Sequence, residues 1–167
     1  MRIIVNDSSA LIDLKKGGLL EVFLRLPFEF VVADAILSDE LLSFSRGEVS
    51  LMRKHMSVTS LNGVQLKEVG ELQATAPALS LYDCMSFVIA QSNPGCILLT
   101  GDKRLRTKAE AAQMECHGVL WLVDEISKAG LATNRTLLKT LEAWRDDTTV
   151  RLPSADLQNA IARFRRG

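Results

Sequence analysis

Short apolar runs that alternate with helix-like segments are the feature of this sequence that most constrains its fold. Segments 3–5, 28–32 and 96–100 are rich in β-branched and other apolar residues, as expected for buried parallel strands. The same reasoning predicts a minor strand at 57–59 and a last strand at 119–122. The alternation predicts an α/β fold: a three-layer α/β/α sandwich with a central, mostly parallel sheet of four to five strands.

Helices are predicted between these strands. Ser8 or Ser9 is a candidate N-cap for the first helix, and Asp34 is one for a later helix over 35–44. The remaining helical segments are 19–24, 65–75, 80–91 and 103–113, and the chain after residue 122 is predicted to be helical with a turn near Pro153.

Composition excludes several classes of protein. Cys84, Cys96 and Cys116 form no C-x-x-C pair, so neither a disulfide framework nor a common zinc motif is expected. No apolar run approaches the roughly 20 residues of a membrane span. We therefore expect a soluble, cytoplasmic protein with no membrane partner.

Charge is balanced overall but unevenly distributed. Lys and Arg total 20, as do Asp and Glu, so the distribution of charge has to decide whether nucleic acid is a partner. One basic run lies at 103–108 and another at 163–166, and each is explained either by a solvated helix face or by a phosphate-facing surface. The second run follows Leu157 and Ile161 on an amphipathic segment, which favours a dimer or partner contact there.

Two aspartates lie directly after predicted strands. Asp7 follows the first strand and Asp102 follows the strand at 96–100. In parallel α/β sheets, ligands bind just beyond the carboxyl ends of the strands. Both aspartates are therefore predicted to lie at the edge of the sheet where chemistry takes place.

Two further acids lie on apolar helix faces. Glu40 shares its predicted face with apolar neighbours three or four residues away, and Asp83 lies in a helix that is apolar nearly all round. A buried carboxylate is costly unless it is paired or binds a metal. Together with Asp7 and Asp102, these residues predict one shared cation site.

Each acid except Glu40 also has a purely structural interpretation. Asp7 is a possible helix cap, Asp83 follows Ser80 at the spacing of a capping box, and Asp102 is a possible turn residue. Neither a cap nor a turn explains Glu40. One shared site accounts for all four acids more simply than four separate structural roles.

The four acids, in their order and spacing, resemble the PIN-domain family. That family has an Asp after the first strand, a Glu in an early helix, an Asp in a mid-chain helix and an Asp after a later strand. The matching segments here are Val-Asn-Asp7-Ser-Ser-Ala-Leu, Leu-Ser-Asp-Glu40-Leu, Leu-Ser-Leu-Tyr-Asp83 and Leu-Leu-Thr-Gly-Asp102. The resemblance covers 1–125, taken as a PIN-like nuclease domain, and 126–167 is taken as a helical C-terminal extension packed on the same domain.

The resemblance implies a metal-dependent endoribonuclease that uses Mg²⁺ or Mn²⁺, and the small size resembles the toxins of bacterial toxin–antitoxin pairs (the VapC-like group). Asp7, Asp83 and Asp102 would be metal ligands, directly or through water, and Glu40 would complete the cage or orient the attacking water. Residues predicted to support the ligands by hydrogen bonds are Ser8 and Thr100, and those predicted to bind substrate phosphates are Lys103, Arg104 and Arg106. RNA, an antitoxin protein and a second copy of the chain are the predicted partners.

Departures from the pattern leave alternatives open. Some family members carry a further acid shortly after the last Asp, where this chain has Lys103 and Arg104, so one and two metal ions both remain possible. A haloacid-dehalogenase-type phosphatase needs a second Asp where this chain has Ser9. A response-regulator receiver domain does not account for Glu40 or Asp83. The non-enzymatic alternative is a catalytically degenerate PIN-like module that only binds RNA or protein.

Overall fold

A five-stranded, entirely parallel sheet forms the centre of the molecule, as a computed structural model describing residues 1–167 shows. The strands lie in the order β3-β2-β1-β4-β5. Their bounds are Ile3–Asn6 for β1, Glu29–Ala33 for β2, Met56–Thr59 for β3, Ile97–Leu99 for β4 and Glu115–His117 for β5. The predicted three-layer α/β/α class with a sheet of four to five strands is confirmed.

Nine α-helices and one π-helical turn surround the sheet. The helices are α1 (Ser8–Lys16), α2 (Leu20–Phe23), α3 (Arg46–His55), α4 (Gly63–Thr75), α5 (Leu81–Gln91), α6 (Lys103–Ala111), α7 (Val119–Lys128), α8 (Asn134–Asp146) and α9 (Ser154–Arg166). The π-helical turn spans Ile36–Glu40. None of these helices combines the length and the apolar character that crossing a bilayer requires.

The predicted last strand at 119–122 is wrong, because those residues begin α7. Val119, Leu122, Val123 and Ile126 are all buried, and their spacing of three or four residues is that of a helix face. The last strand is Glu115–His117, whose residues are only partly buried or exposed and carry little apolar signal. An edge position, paired only with β4, explains that composition.

The predicted helix at 35–44 is also wrong in type, length and cap. The segment is α-helical only at Asp34 and Ala35 and continues as a π-helix over Ile36–Glu40, in which the Leu41 amide donates to the Ile36 carbonyl. Asp34 does not cap it but pairs with Arg53 of α3 at 3.5 Å. The wider π turn leaves Glu40 half-buried instead of on the fully buried face expected for an α-helix.

The C-terminal helices pack on the helix that follows β1. The Trp144 indole donates to the Asp13 carbonyl at 2.8 Å, and the Thr140 hydroxyl donates to the Gly17 carbonyl at 2.7 Å. A Cβ at Gly17 would lie 2.7 Å from the Thr140 and Trp144 side chains, so this close approach requires glycine. The predicted boundary at residue 125 falls inside α7, and the division of the chain there stays a prediction.

Helix α9 uses its apolar face within its own chain. Leu157, Ile161 and Phe164 are buried, while Arg163 pairs with Asp124 and Arg165 pairs with Glu142. The surface on which the sequence-based argument for a partner contact depended is therefore occupied by α7 and α8.

Candidate active site

Asp7 lies at the carboxyl end of the central strand β1 and is 1% exposed. Its Oδ2 accepts hydrogen bonds from the Ser9 hydroxyl at 2.7 Å and from the Thr100 hydroxyl at 2.9 Å. Its Oδ1 is buried and has no hydrogen-bond partner. Although Asp7 occupies the N-cap position of α1, its side chain makes no capping hydrogen bond. Helix capping therefore does not explain this residue.

Burial dominates the electrostatics of Asp7. Burial, with a smaller contribution from the charge of Asp83, raises the pKa of the carboxyl to about 6, although the hydroxyls of Ser9 and Thr100 act to lower it. The carboxylate form is thus costly in this position. Such a group is stabilised by a cation, which would also provide the missing partner for Oδ1.

Glu40 is placed beside Ser8 by the end of the π-helical turn. Its Oε2 accepts a hydrogen bond from the hydroxyl of Ser8, the residue next to Asp7 in the chain. The Ser8 hydroxyl thus ties Glu40 to the start of α1, while its predicted role in supporting metal ligands stays a prediction. The neighbouring Asp39 points elsewhere, since its Oδ2 accepts from the Tyr82 hydroxyl at 3.0 Å.

Asp83 has a structural role as well as a place in the site. Ser80 and Asp83 form a capping box on α5, in which the Asp83 Oδ2 accepts from the Ser80 amide at 2.7 Å. Burial raises the pKa of Asp83 and Asp102 adds to this rise, while hydrogen bonds from Ser80 and the charge of Arg104 oppose it. The capping interpretation is correct, yet it leaves one carboxylate oxygen of Asp83 free of protein partners.

Asp102 likewise caps a helix. Its Oδ1 accepts from the Leu105 amide at 2.8 Å at the start of α6. Its own amide donates to the Thr100 hydroxyl at 3.0 Å, and that hydroxyl in turn donates to Asp7. Thr100 is completely buried and links Asp7 to Asp102 through these two hydrogen bonds.

Ser9 belongs to this network, although the sequence analysis considered it only as a candidate helix cap. Its hydroxyl donates to Asp7 and accepts from the Gly101 amide at 2.9 Å, which fixes the loop after β4 against α1. The signal available in the sequence was its position two residues after Asp7, in a segment where the preceding serine had already been assigned.

The four acids are linked but do not close into a metal cage. The charge of Asp83 raises the pKa of Asp7, the charge of Asp102 raises the pKa of Asp83, and Glu40 is linked to the chain beside Asp7 through Ser8. No three His, Cys, Asp or Glu side chains in the structure are close enough together to hold a metal ion. The expectation of one preformed cation cage is therefore not met by these side-chain positions. The donor set itself, all carboxylate and hydroxyl oxygen, is that preferred by Mg²⁺ and Mn²⁺.

The three predicted phosphate-binding residues lie in a cleft of about 920 Å³ that begins at Asp102. Lys103, Arg104 and Arg106 all line it. The Arg106 guanidinium donates to the Thr100 carbonyl at 3.2 Å, and a Cβ at Gly118 would lie 3.1 Å from it. Sequence reasoning did not identify three other lining residues, His117, Trp121 and Arg151.

The fold and this site together define a parallel α/β domain with an acidic centre at the topological switch point. Strand β1 pairs with β2 on one side and β4 on the other, and Asp7 and Asp102 follow β1 and β4. A family model described as "DUF3368: PIN domain" matches residues 3–166. The chain belongs to the PIN-domain family. PIN domains are generally nucleases, and they typically use divalent metal ions. Among curated proteins, none matches the chain significantly.

Proposed function

We propose that this protein is a metal-dependent endoribonuclease that cleaves phosphodiester bonds of RNA, with Asp7, Glu40, Asp83 and Asp102 in its active centre. The observation that supports this proposal best is the Asp7 carboxylate. It is buried, lies beside a second carboxylate and has one oxygen without a partner. A bound cation would offset the cost of burying the charge of this carboxylate.

In this proposal the aspartate oxygens that have no hydrogen-bond partner within the protein hold Mg²⁺ or Mn²⁺. Asp7 offers Oδ1, Asp83 offers Oδ1 and Asp102 offers Oδ2, since the second oxygen of each is already bonded within the protein. When bound, such an ion lowers the pKa of a water molecule and stabilises negative charge on the phosphate. Glu40, held by Ser8, orients the water, and Thr100 keeps Asp7 and Asp102 in register.

A nuclease assay with matched variants tests this function. The substrate is a single-stranded RNA, with a DNA of the same sequence beside it, in Mg²⁺, Mn²⁺ or EDTA. Asp7→Asn should abolish cleavage, whereas Asp13→Asn should retain it. Asp13 is a suitable control because it is also a buried aspartate of α1 whose pKa burial raises to about 6. Cleavage that persists in EDTA or in Asp7→Asn would refute the proposal.

A degenerate, purely binding PIN-like module is the second candidate function. It is favoured by the separation of the acids and by the capping roles of Asp83 and Asp102, which explain both residues without a metal. RNA binding without cleavage in either metal ion would support this alternative. Cleavage that depends on Asp7 would exclude it.

We further propose that the nuclease is the toxin of a bacterial toxin–antitoxin pair, with an antitoxin protein as its partner. The small size of the chain and its family support this role. Expression of the wild type should stop growth, and Asp7→Asn should not. Co-expression of the product of a small upstream reading frame should restore growth and co-purify with the protein, and size-exclusion chromatography of the complex would show whether it contains a second copy of the chain.

A further inference from the structure

The cleft beside Asp102 has walls from three parts of the chain. One wall is the loop after β4 with the start of α6, the second is the end of β5 with the start of α7, and the third is the connection from 151 to 156 that leads into α9. The cleft is continuous with the candidate active site because Asp102 and Thr100 belong to both. A substrate strand that reaches the acidic centre therefore has this cleft beside it.

Uncompensated positive charge lines the cleft. Lys103, Arg104, Arg106 and Arg151 contribute four cations, against the two carboxylates of Asp102 and Asp156. None of the four cations forms a salt bridge. Arg151 is exposed and makes no hydrogen bond through its side chain, so its guanidinium is available to a ligand. Guanidinium and ammonium groups in this state attract phosphates.

A stacked aromatic pair forms another part of the wall. The rings of His117 and Trp121 are 4.4 Å apart and 12° from parallel. Trp121 also packs against Phe28 at 5.9 Å, and His117 is held by Glu115 at 2.9 Å. The His117 side chain remains 30% exposed. The pair is thus fixed from behind and still offers ring surface, which is the arrangement on which nucleobases stack.

We propose that this cleft binds a nucleotide of single-stranded RNA next to the scissile phosphate. The base stacks on the His117–Trp121 pair, and the flanking phosphates bind Lys103, Arg106 and Arg151. This inference rests on the proposed nuclease function, because it takes the acidic centre as the point of cleavage. It adds to that function a stacking site and an arginine from the segment before α9, neither of which belongs to the metal-binding set.

Equilibrium binding of a short fluorescent single-stranded RNA in EDTA tests the cleft without cleavage. Trp121→Leu should raise the dissociation constant on the order of tenfold, and much less for an abasic ribose-phosphate probe of the same length. Arg151→Gln should weaken both probes and reduce the log-affinity versus log-salt slope by about 0.7. Arg135→Gln is the matched control, since Arg135 is an exposed, unpaired arginine on α8.

Arg151→Gln keeps the test decisive should Trp121→Leu fail to fold. Equal affinity of Arg151→Gln and Arg135→Gln for RNA would overturn the proposal. If Trp121→Leu loses the same factor in affinity for the intact and the abasic probes, the stacking site is overturned. If Arg151→Gln loses affinity for polyglutamate but keeps its affinity for RNA, the cleft binds an acidic peptide instead of RNA. Absence of nuclease activity of the wild type in both Mg²⁺ and Mn²⁺ would refute the proposed function, whereas the binding results would still test the cleft.

Discussion

Replacing Asp7 by Asn should stabilise the metal-free protein at neutral pH. Burial raises the pKa of Asp7 from 3.8 to about 6, a difference of about 2 units, and each unit corresponds to about 1.4 kcal/mol. Ionised Asp7 therefore costs about 3 kcal/mol of folding free energy. Removing the charge recovers this free energy, but the Asn amide group that replaces Oδ1 would be buried without a hydrogen-bond partner, which costs about 1 kcal/mol. We expect a net gain of about 2 kcal/mol, or about 4–8 °C in melting temperature for a domain of this size.

The gain should depend on pH in a defined direction. Below about pH 4 the Asp7 carboxyl is protonated in both the folded and the unfolded protein, so Asp7→Asn gains nothing from the lost charge. Between about pH 4 and 6 the folded wild type holds a proton that the unfolded chain has released, and its stability falls as the pH rises. The advantage of Asp7→Asn should therefore appear across this window and be complete above it.

Urea unfolding in EDTA at pH 4 and pH 7.5 measures this effect, followed by the fluorescence of the buried Trp144. Asp13→Asn should show a similar gain, because burial also raises the pKa of Asp13 to about 6. Mn²⁺ should then stabilise the wild type and Asp13→Asn but not Asp7→Asn. If Asp7→Asn is destabilised relative to the wild type by the same amount at pH 7.5 as at pH 4, the reasoning is refuted. The fold would then stabilise the ionised carboxylate as well as water does.

Three further predictions concern the metal, the substrate and the fold. Asp102→Asn should reduce the rise in melting temperature caused by Mn²⁺ without destabilising the metal-free protein, because Asn still caps α6. Asp102→Ala should in addition lose about 1 kcal/mol of folding free energy, because Ala cannot cap the helix. A full Mn²⁺ response in Asp102→Asn would place the metal elsewhere. Neutralising Lys103, Arg104 and Arg106 together should reduce the salt slope of RNA binding by about 2 while Mn²⁺ stabilisation is retained; an unchanged slope would make this basic run a solvated face. Gly17→Ala should destabilise by about 1–3 kcal/mol in urea unfolding because its Cβ would overlap Trp144 and Thr140, and a neutral effect would show that α8 moves freely there.

The sheet was predictable because its central strands have an unambiguous composition. Strand β1 is a short apolar run that ends at Asn6, and strand β4 is a wholly apolar run followed by Thr100; the burial of such runs leaves few alternative structures. The edge strand β5 was not predictable, since its pairing with β4 comes from the sheet and not from its residues. Helix α7 was mistaken for a strand because four apolar residues in a row fit both periods until the next turn is counted. Helix α3 was not predicted, although the Ser45–Glu48 capping box at its start is visible in the sequence.

Four candidate acids could be proposed from the sequence, but their arrangement in space could not. Position after a strand located Asp7 and Asp102, while the π-helical turn that sets Glu40 beside Ser8 has no signature in the local sequence. The basic helix start was visible as a charge run. Arg151 and Trp121 lie far apart in the chain and meet at the cleft only through the packing of α7 and α9, so no local pattern could have joined them.

The bonds from Thr140 and Trp144 to α1 have a consequence for the timing of synthesis. Helix α1 begins at the residue after Asp7, and its far end is completed only when α8 supplies these two donors. The ribosome makes α8 more than a hundred residues after α1. A nascent chain therefore carries all four candidate acids long before the two bonds that complete the far end of α1 can form.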